Sequence, residues 1–156
     1  MDTSVLVAGL RSPNGASAKI LDLIRVGEVT LCLDYKVSSE YRDVAARPEQ
    51  RKASGLTVRQ VGDILSVLED LAEPVRMKRR YRNLSPDPAD DMVLEVAINA
   101  TADAIVTHNL RHLKEPGLRF GIQVVTPRRI SPMDQYRSRL CQLKRTRPRQ
   151  RSSHSG

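Results

Sequence analysis

The stretch DPADDMVLEVAINATADAIVTHN, residues 87–109, changes its apolar period partway along. Residues 90–100 read as a helix with Asp91 in its first turn, where the helix dipole favours a carboxylate. Side chains at i, i+3, i+4 and i+7 share a helix face. From Asp91 these are Leu94, Glu95 and Ile98, so Asp91 is expected to project toward a largely apolar side. Residues 104–107 (AIVT) then run without polar alternation, the pattern of a buried strand. Asn109 follows that strand, where open parallel sheets place their ligand-binding groups.

The alternation of strand and helix extends in both directions from this stretch. Residues 122–126 (IQVVT) read as another buried strand. Residues 57–71 are the clearest helix: Val58, Val61, Ile64, Leu65, Leu68 and Leu71 form one stripe, and Thr57 with Gln60 has the spacing of a capping box. Residues 75–77 suggest a short strand, 36–46 a helix, and 47–55, which include Pro48 and Gly55, a turn or loop. Residues 29–33 (VTLCL) read as a buried strand and 18–26 as a helix stopped by Gly27. Residues 3–10 (TSVLVAGL), apolar and rich in β-branched side chains, read as the first buried strand. Alternating elements with uniformly apolar strands predict an α/β fold with a mostly parallel sheet covered on both faces.

A length of 156 residues fits one domain. One Phe, four Tyr and no Trp leave the core to Leu, Val, Ile and Ala. The net charge of +8 is uneven, because residues 137–156 carry seven Lys or Arg and no acid. Residues 1–136 are thus expected to form the folded domain and 137–156 a basic, disordered tail. Cys32 and Cys141 are too few for a zinc site and suit a reducing compartment. No apolar run approaches the roughly 20 residues of a membrane span. Residues 2–10 lack a basic leader. The expected location is the cytoplasm, with no membrane partner.

Asp2, Glu40, Asp91 and Asn109 lie at element edges or on inward faces. Glu40 shares a helix face with Val37 and Val44, which makes it more inward than Asp43. Clustered carboxylates repel one another and lose hydration, so a fold that gathers several usually does so around a divalent cation. His108 and His112 are four apart with no third nitrogen or sulfur ligand nearby, and read as surface histidines.

Four segments together resemble the PIN-domain family of metal-dependent ribonucleases: MDTSVLVAGL at 1–10, VSSEYRDV at 37–44, DPADDMVLEVAINATADAIVTHNLRHL at 87–113, and IQVVTP at 122–127. The resemblance covers residues 1–130 and is strongest toward the toxin branch of toxin–antitoxin systems. It implies a three-layer α/β/α fold around a central, mostly parallel sheet of about four or five strands. It matches Asp2, Glu40 and Asp91 to three family carboxylates and Asn109 to a fourth position that is frequently Asp. Ser4 and Thr107 match supporting polar positions, and Asp90 and Asp87 flank Asp91. The implied cofactor is Mg²⁺, with Mn²⁺ as a substitute, ligated by Asp2 and Asp91. Glu40 would ligate it or act through water, and Asn109 would hydrogen-bond a metal water or ligate through its carbonyl. The implied reaction cuts single-stranded RNA to a 3′-hydroxyl and a 5′-phosphate. Arg11, Lys78, Arg79, Arg80 and Arg82 are the expected RNA-backbone contacts, with Tyr81 placed to stack on a base. A cognate antitoxin and a second copy of the chain are the implied protein partners.

Two departures from the family pattern stand out. Only Met1 precedes Asp2, so the first strand is expected to be cut short or to start upstream of Met1. Asn109 is neutral and should hold a second metal more weakly. Both favour a competing reading, a catalytically weak PIN-like module that binds RNA or forms complexes.

Overall fold

The computed structural model describes residues 1–130; the predicted basic tail at 137–156 and Cys141 lie outside the described residues. In chain order the elements are α1 (Thr3–Arg11), α2 (Ala16–Arg25), β1 (Cys32–Leu33), α3 (Tyr35–Ala45), α4 (Pro48–Ser54), α5 (Val58–Leu71), β2 (Glu73–Pro74), α6 (Pro88–Ala100), β3 (Ala104–Val106), α7 (Leu110–Arg119), β4 (Gln123–Val125) and α8 (Pro127–Ile130). Strands alternate with helices and all pairing is parallel, as an α/β fold requires. The expected sheet of four or five strands is instead two separate pairs among the described residues, β1 with β2 and β3 with β4.

The first expected strand is a helix. Thr3, Val5, Leu6 and Gly9 are the buried residues of α1, which is helical spacing despite the β-branched content. Only Asp2 before it is extended (φ −74°, ψ 149°). Its N–H donates to Val106 O at 2.9 Å, and its carbonyl accepts from Val5 N at 3.1 Å, so a single extended residue bonds to the end of β3 before the helix begins. Met1 lies in the gap between the two strand pairs. It packs against the clusters around Leu33 and around Val106, and Tyr41 donates its hydroxyl to the Met1 carbonyl.

Three further boundaries differ from the sequence reading. Residues 47–55 hold α4, with Pro48 at the first helical position and Gly55 in the left-handed conformation (φ 71°) after the last. The two residues that suggest a loop are therefore the start and stop of a short helix. The strand expected at 75–77 lies at Glu73–Pro74; Glu73 N and Val75 N donate to Leu31 and Leu33, so Pro74 needs no donor of its own. Helix α7 was hidden by Pro116 and Gly117 inside it. Gly117 is required there, because an added Cβ would lie 2.5 Å from Val124 Cγ2 and 3.1 Å from Ile122 O.

The capping box of α5 is present, with Thr57 Oγ1 accepting from Gln60 N and Gln60 accepting from Thr57 N. The largest core cluster joins α1, α2, β1, α3 and α5 through Leu6, Ile20, Leu33, Tyr41 and Leu65. A second cluster joins α6, β3 and α7 through Leu94, Ile105 and Leu113. The ends of β1 and β3, the start of α3 and the start of α6 therefore converge beside Asp2. Among the described residues no helix is long and apolar enough to cross a membrane.

Candidate active site

Asp2 stands at the carboxyl end of β3, held by two hydroxyls. Ser4 Oγ donates to Asp2 Oδ2 at 2.6 Å and Thr107 Oγ1 at 2.7 Å. Thr107 is fully buried, and its Oγ1 in turn accepts from Asn109 N at 2.9 Å. The polar residue at the strand end thus ties the orientation of Asp2 to the loop that carries Asn109. The position conflicts with the carboxyl-end rule only if residues 3–10 are a strand; with α1 in that place the rule is met.

Glu40 projects from α3 one residue before the buried Tyr41. Burial raises its pKa, the Thr3 hydroxyl opposes this, and the charges of Asp2, Asp87 and Asp90 add to the rise. Glu40 Oε2 and Thr3 Oγ1 are both buried without a well-formed hydrogen bond among the described residues. The hydroxyl is thus near enough to act on the carboxylate but not oriented to satisfy it. Tyr41 is raised as well, first by burial and then by Asp2 and Glu40.

Asp90 is 5% exposed on the first turn of α6. Its Oδ2 accepts from Ser85 Oγ at 3.3 Å and lies 3.1 Å from His112 Nδ1. Burial raises its pKa, the His112 hydrogen bond opposes this, Asp2 and Asp87 raise it further, and the charge of His112 lowers it. Asp87 caps α6 by accepting from Ala89 N at 2.9 Å and adds its charge from the rim. Asp2, Glu40 and Asp90 thus come together from three distant parts of the chain. No Arg or Lys forms an ion pair with any of them among the described residues.

The structure sets Asp91 apart from this group. Its Oδ1 accepts from Ser85 N at 2.7 Å and its Oδ2 from Asn83 N at 2.8 Å, so both oxygens face loop backbone. The signal that separates the two aspartates was in the sequence. From Asp90 the shared helix face is Val93, Leu94 and Ala97, all apolar, whereas from Asp91 it includes Glu95. Asn109 caps α7 without a side-chain cap bond, and its amide lies 3.0 Å from His112 Nδ1. One ring nitrogen cannot donate to Asp90 and accept from Asn109 together, and the buried carboxylate is the stronger partner. His112 is therefore part of the centre rather than a free surface histidine. His108 points elsewhere, with Nε2 2.9 Å from Ser17 Oγ.

The expected RNA contacts flank the carboxylates. Arg11 lies seven residues along α1 from Ser4, on the same face and roughly 10 Å away, and pairs with Gln50. Lys78, Arg79, Arg80 and Arg82 are exposed on the opposite side, in the segment before α6. The donor set at the centre is three carboxylates and an amide, the hard oxygen chemistry that suits Mg²⁺ or Mn²⁺. The unpartnered Glu40 Oε2 is the atom that a cation would satisfy. Among the described residues, however, no three His, Cys, Asp or Glu side chains stand close enough to enclose a metal ion as placed.

A family model described as PIN domain matches residues 1–111. The matched span includes Asp2, Glu40, Asp90 and Asn109. Neither a curated protein nor a solved structure matches the chain.

Proposed function

Because the chain belongs to the PIN-domain family, whose members are generally nuclease domains, we propose that it is a metal-dependent endoribonuclease acting on single-stranded RNA. The observation that carries this reading is the convergence of Asp2, Glu40 and Asp90 with no Arg or Lys ion pair, and with Glu40 Oε2 buried and unpartnered, among the described residues. Like charges held together in a partly buried site raise one another's pKa, a cost that bound cations relieve.

In this proposal Asp2 and Asp90 hold the divalent ion, and Asp90 takes the role first given to Asp91. Ser4 and Thr107 hold Asp2 in one rotamer, so the ligand is oriented before the ion arrives. A divalent ion held there would supply a bound water of lowered pKa and offset charge on the phosphate. Glu40 Oε2 orients the attacking water and accepts its proton, a role suited to a carboxylate whose pKa is raised. His112 holds Asp90 Oδ2 by a hydrogen bond, and Asn109 would hydrogen-bond a metal water or ligate through its carbonyl. The water oxygen bonds to phosphorus as the P–O3′ bond breaks, and a solvent water protonates the departing oxygen, giving a 3′-hydroxyl and a 5′-phosphate. Arg11 and the 78–82 cations bind the flanking backbone.

The same reading makes the chain the cytoplasmic toxin of a type II pair, working as a homodimer and silenced by a cognate antitoxin. Support for a protein partner is the apolar surface between α2 and α5, where Val67 and Leu71 are about half exposed beside Leu21. Growth arrest on expression, relieved by the product of a neighbouring gene, tests that role. A catalytically weak binding module is favoured by the neutral Asn109 at the fourth position and by the spacing of the acids, no three of which stand close enough to enclose a metal ion among the described residues. Cleavage of a labelled single-stranded RNA with Mg²⁺ or Mn²⁺, against EDTA and Asp90→Asn, decides between the two. Metal-dependent cutting lost in the variant supports the nuclease; binding without cutting leaves the module.

A further inference from the structure

Three side chains on one stripe of α6, at i, i+4 and i+8, hold the segment 78–85 entirely by its backbone. Asn99 Oδ1 accepts from Lys78 N (2.9 Å) and Arg79 N (3.0 Å), and its Nδ2 donates to Arg79 O (2.8 Å). Glu95 Oε1 accepts from Tyr81 N at 2.6 Å. Asp91 accepts from Asn83 N and Ser85 N. The Tyr81 ring is braced edge-on by Phe120, with centroids 5.2 Å apart. The backbone is therefore fixed, while Arg80 and Arg82 project outward and form no ion pair among the described residues.

This clipped segment forms one wall of a cleft of about 250 Å³. Lys36 of α3 and Met92 of α6 close the other side, and Ala89 and Pro88 join it to the Asp90 turn. Lys36 lies one helical turn before Glu40, so the cleft opens directly beside the carboxylates. A centre of three acids repels a polyanion, so affinity for one must come from cations next to it. Cations interleaved with an aromatic ring match a phosphate with its base better than an acidic peptide, which offers no ring to stack.

We propose that this cleft is a nucleotide subsite: it seats one nucleotide of a single-stranded nucleic acid beside the cleavage centre, with Lys36, Arg80 and Arg82 on its phosphate and Tyr81 against its base. Asp91 and Glu95, which also line the cleft, and Asn99 are positioning residues that hold the cationic loop in its binding conformation through its backbone N–H groups. The proposal rests on the nuclease reading for what happens next to the subsite, but its binding step does not need cleavage.

The test uses the full chain in EDTA and a fluorescein-labelled hexauridine RNA, read by anisotropy across a salt series. Arg80→Ala with Arg82→Ala should weaken binding by about tenfold and lower the log–log salt slope by about 1.4, from two contacts at about 0.7 each. Asn99→Ala keeps every charge yet should weaken binding by roughly threefold, through loss of preorganisation. A control that removes two other cations, Lys52→Ala with Arg59→Ala, should stay within twofold. A hexathymidine arm tells whether RNA or DNA supplies the nucleotide. The subsite is overturned if the Arg80 and Arg82 variant weakens binding no more than the control, or if hexaglutamate displaces the probe as well as unlabelled hexauridine does. Because EDTA stops cutting, binding that survives in a protein with no nuclease activity sinks only the nuclease reading.

Discussion

Asp90 and Asp91 are neighbours in sequence that meet different partners, and replacing each by Asn separates the roles proposed for them. Asp91 accepts two backbone N–H groups at 2.7 and 2.8 Å. An asparagine there keeps one acceptor and turns an NH₂ toward the second N–H. Hydrogen bonds to charged groups contribute about 1.5–3 kcal/mol each, and an N–H left facing a donor adds a penalty of similar size. Asp91 is half-exposed, so water recovers part of this. The net expectation for Asp91→Asn is a loss of about 2 kcal/mol, or roughly 4–8 °C in Tm for a chain of this size. Asp90→Asn should change stability by less than about 1 kcal/mol, because relief of a buried, repelled charge opposes the loss of the His112 pair. Its RNA cleavage should fall by more than about a hundredfold, beyond the effect of losing an outer partner of a ligand. Thermal melts by circular dichroism and labelled-RNA cleavage measure both variants. Asp91→Asn that melts normally but no longer cuts, beside Asp90→Asn that cuts normally, would refute the assignment.

Other outcomes follow from the same geometry. Gly9→Ala puts a Cβ 2.8 Å from Leu21 Cδ1 and 3.2 Å from the Ser17 backbone, so the α1–α2 crossing should lose about 1–2 kcal/mol; Gly62→Ala on α5 meets open space and should gain about 0.5 kcal/mol. Chemical denaturation of both variants checks the contrast, and equal effects would discredit it. Glu40 and Asp90 have folded-state pKa values raised above their ordinary 4.5 and 3.8, so the folded state holds their protons more tightly. Their contribution is fully present below those ordinary values and is lost as pH rises through the raised ones. In EDTA the Tm should therefore fall less steeply with rising pH in Glu40→Gln than in the unmodified chain; parallel curves would rule this out. Thr107→Val leaves Asn109 N without its acceptor and Asp2 with Ser4 alone, costing about 1–3 kcal/mol in stability and about 10- to 100-fold in Mn²⁺ affinity. Calorimetric titration that finds unchanged affinity would remove Thr107 from the site.

The helices were legible wherever one apolar stripe met a recognisable cap, as in α5 with Thr57 and Gln60. They were not legible where the breaking residues were themselves the caps, as with Pro48 and Gly55, or where tertiary packing tolerates them, as with Pro116 and Gly117. The start of the chain misled for another reason. Residues 3–10 are apolar enough for a buried strand, and composition does not distinguish that from a helix pressed against α2 and α3. The strands are two or three residues long, too short for a period-2 pattern to register. Asp2 and Glu40 were nameable in advance because each ends an element or faces inward, whereas Ser4 and Thr107 came only from the resemblance to the family. The contact of His112 with Asp90 spans 22 positions, and no local pattern announces it.

The choice between the two aspartates shows what a helix register can decide and what it cannot. Successive residues on a helix point about 100° apart, so two adjacent acids meet different partners. The face of Asp90 continues through Val93, Leu94 and Ala97 into the core beneath β3. The face of Asp91 continues through Glu95 and Asn99, and every one of those polar side chains is bonded to the backbone of 78–85. A first-turn preference for acids applies equally to both positions and cannot separate them. What separates them is the partner each stripe meets: a packed core that carries one carboxylate toward Asp2, and a polar loop that consumes the other. The tandem acids of α6 therefore couple the acidic centre to the cationic segment beside it through a single rigid helix. A shift of α6 by one residue would leave an acid at only one of the two places, with Ala89 or Met92 at the other.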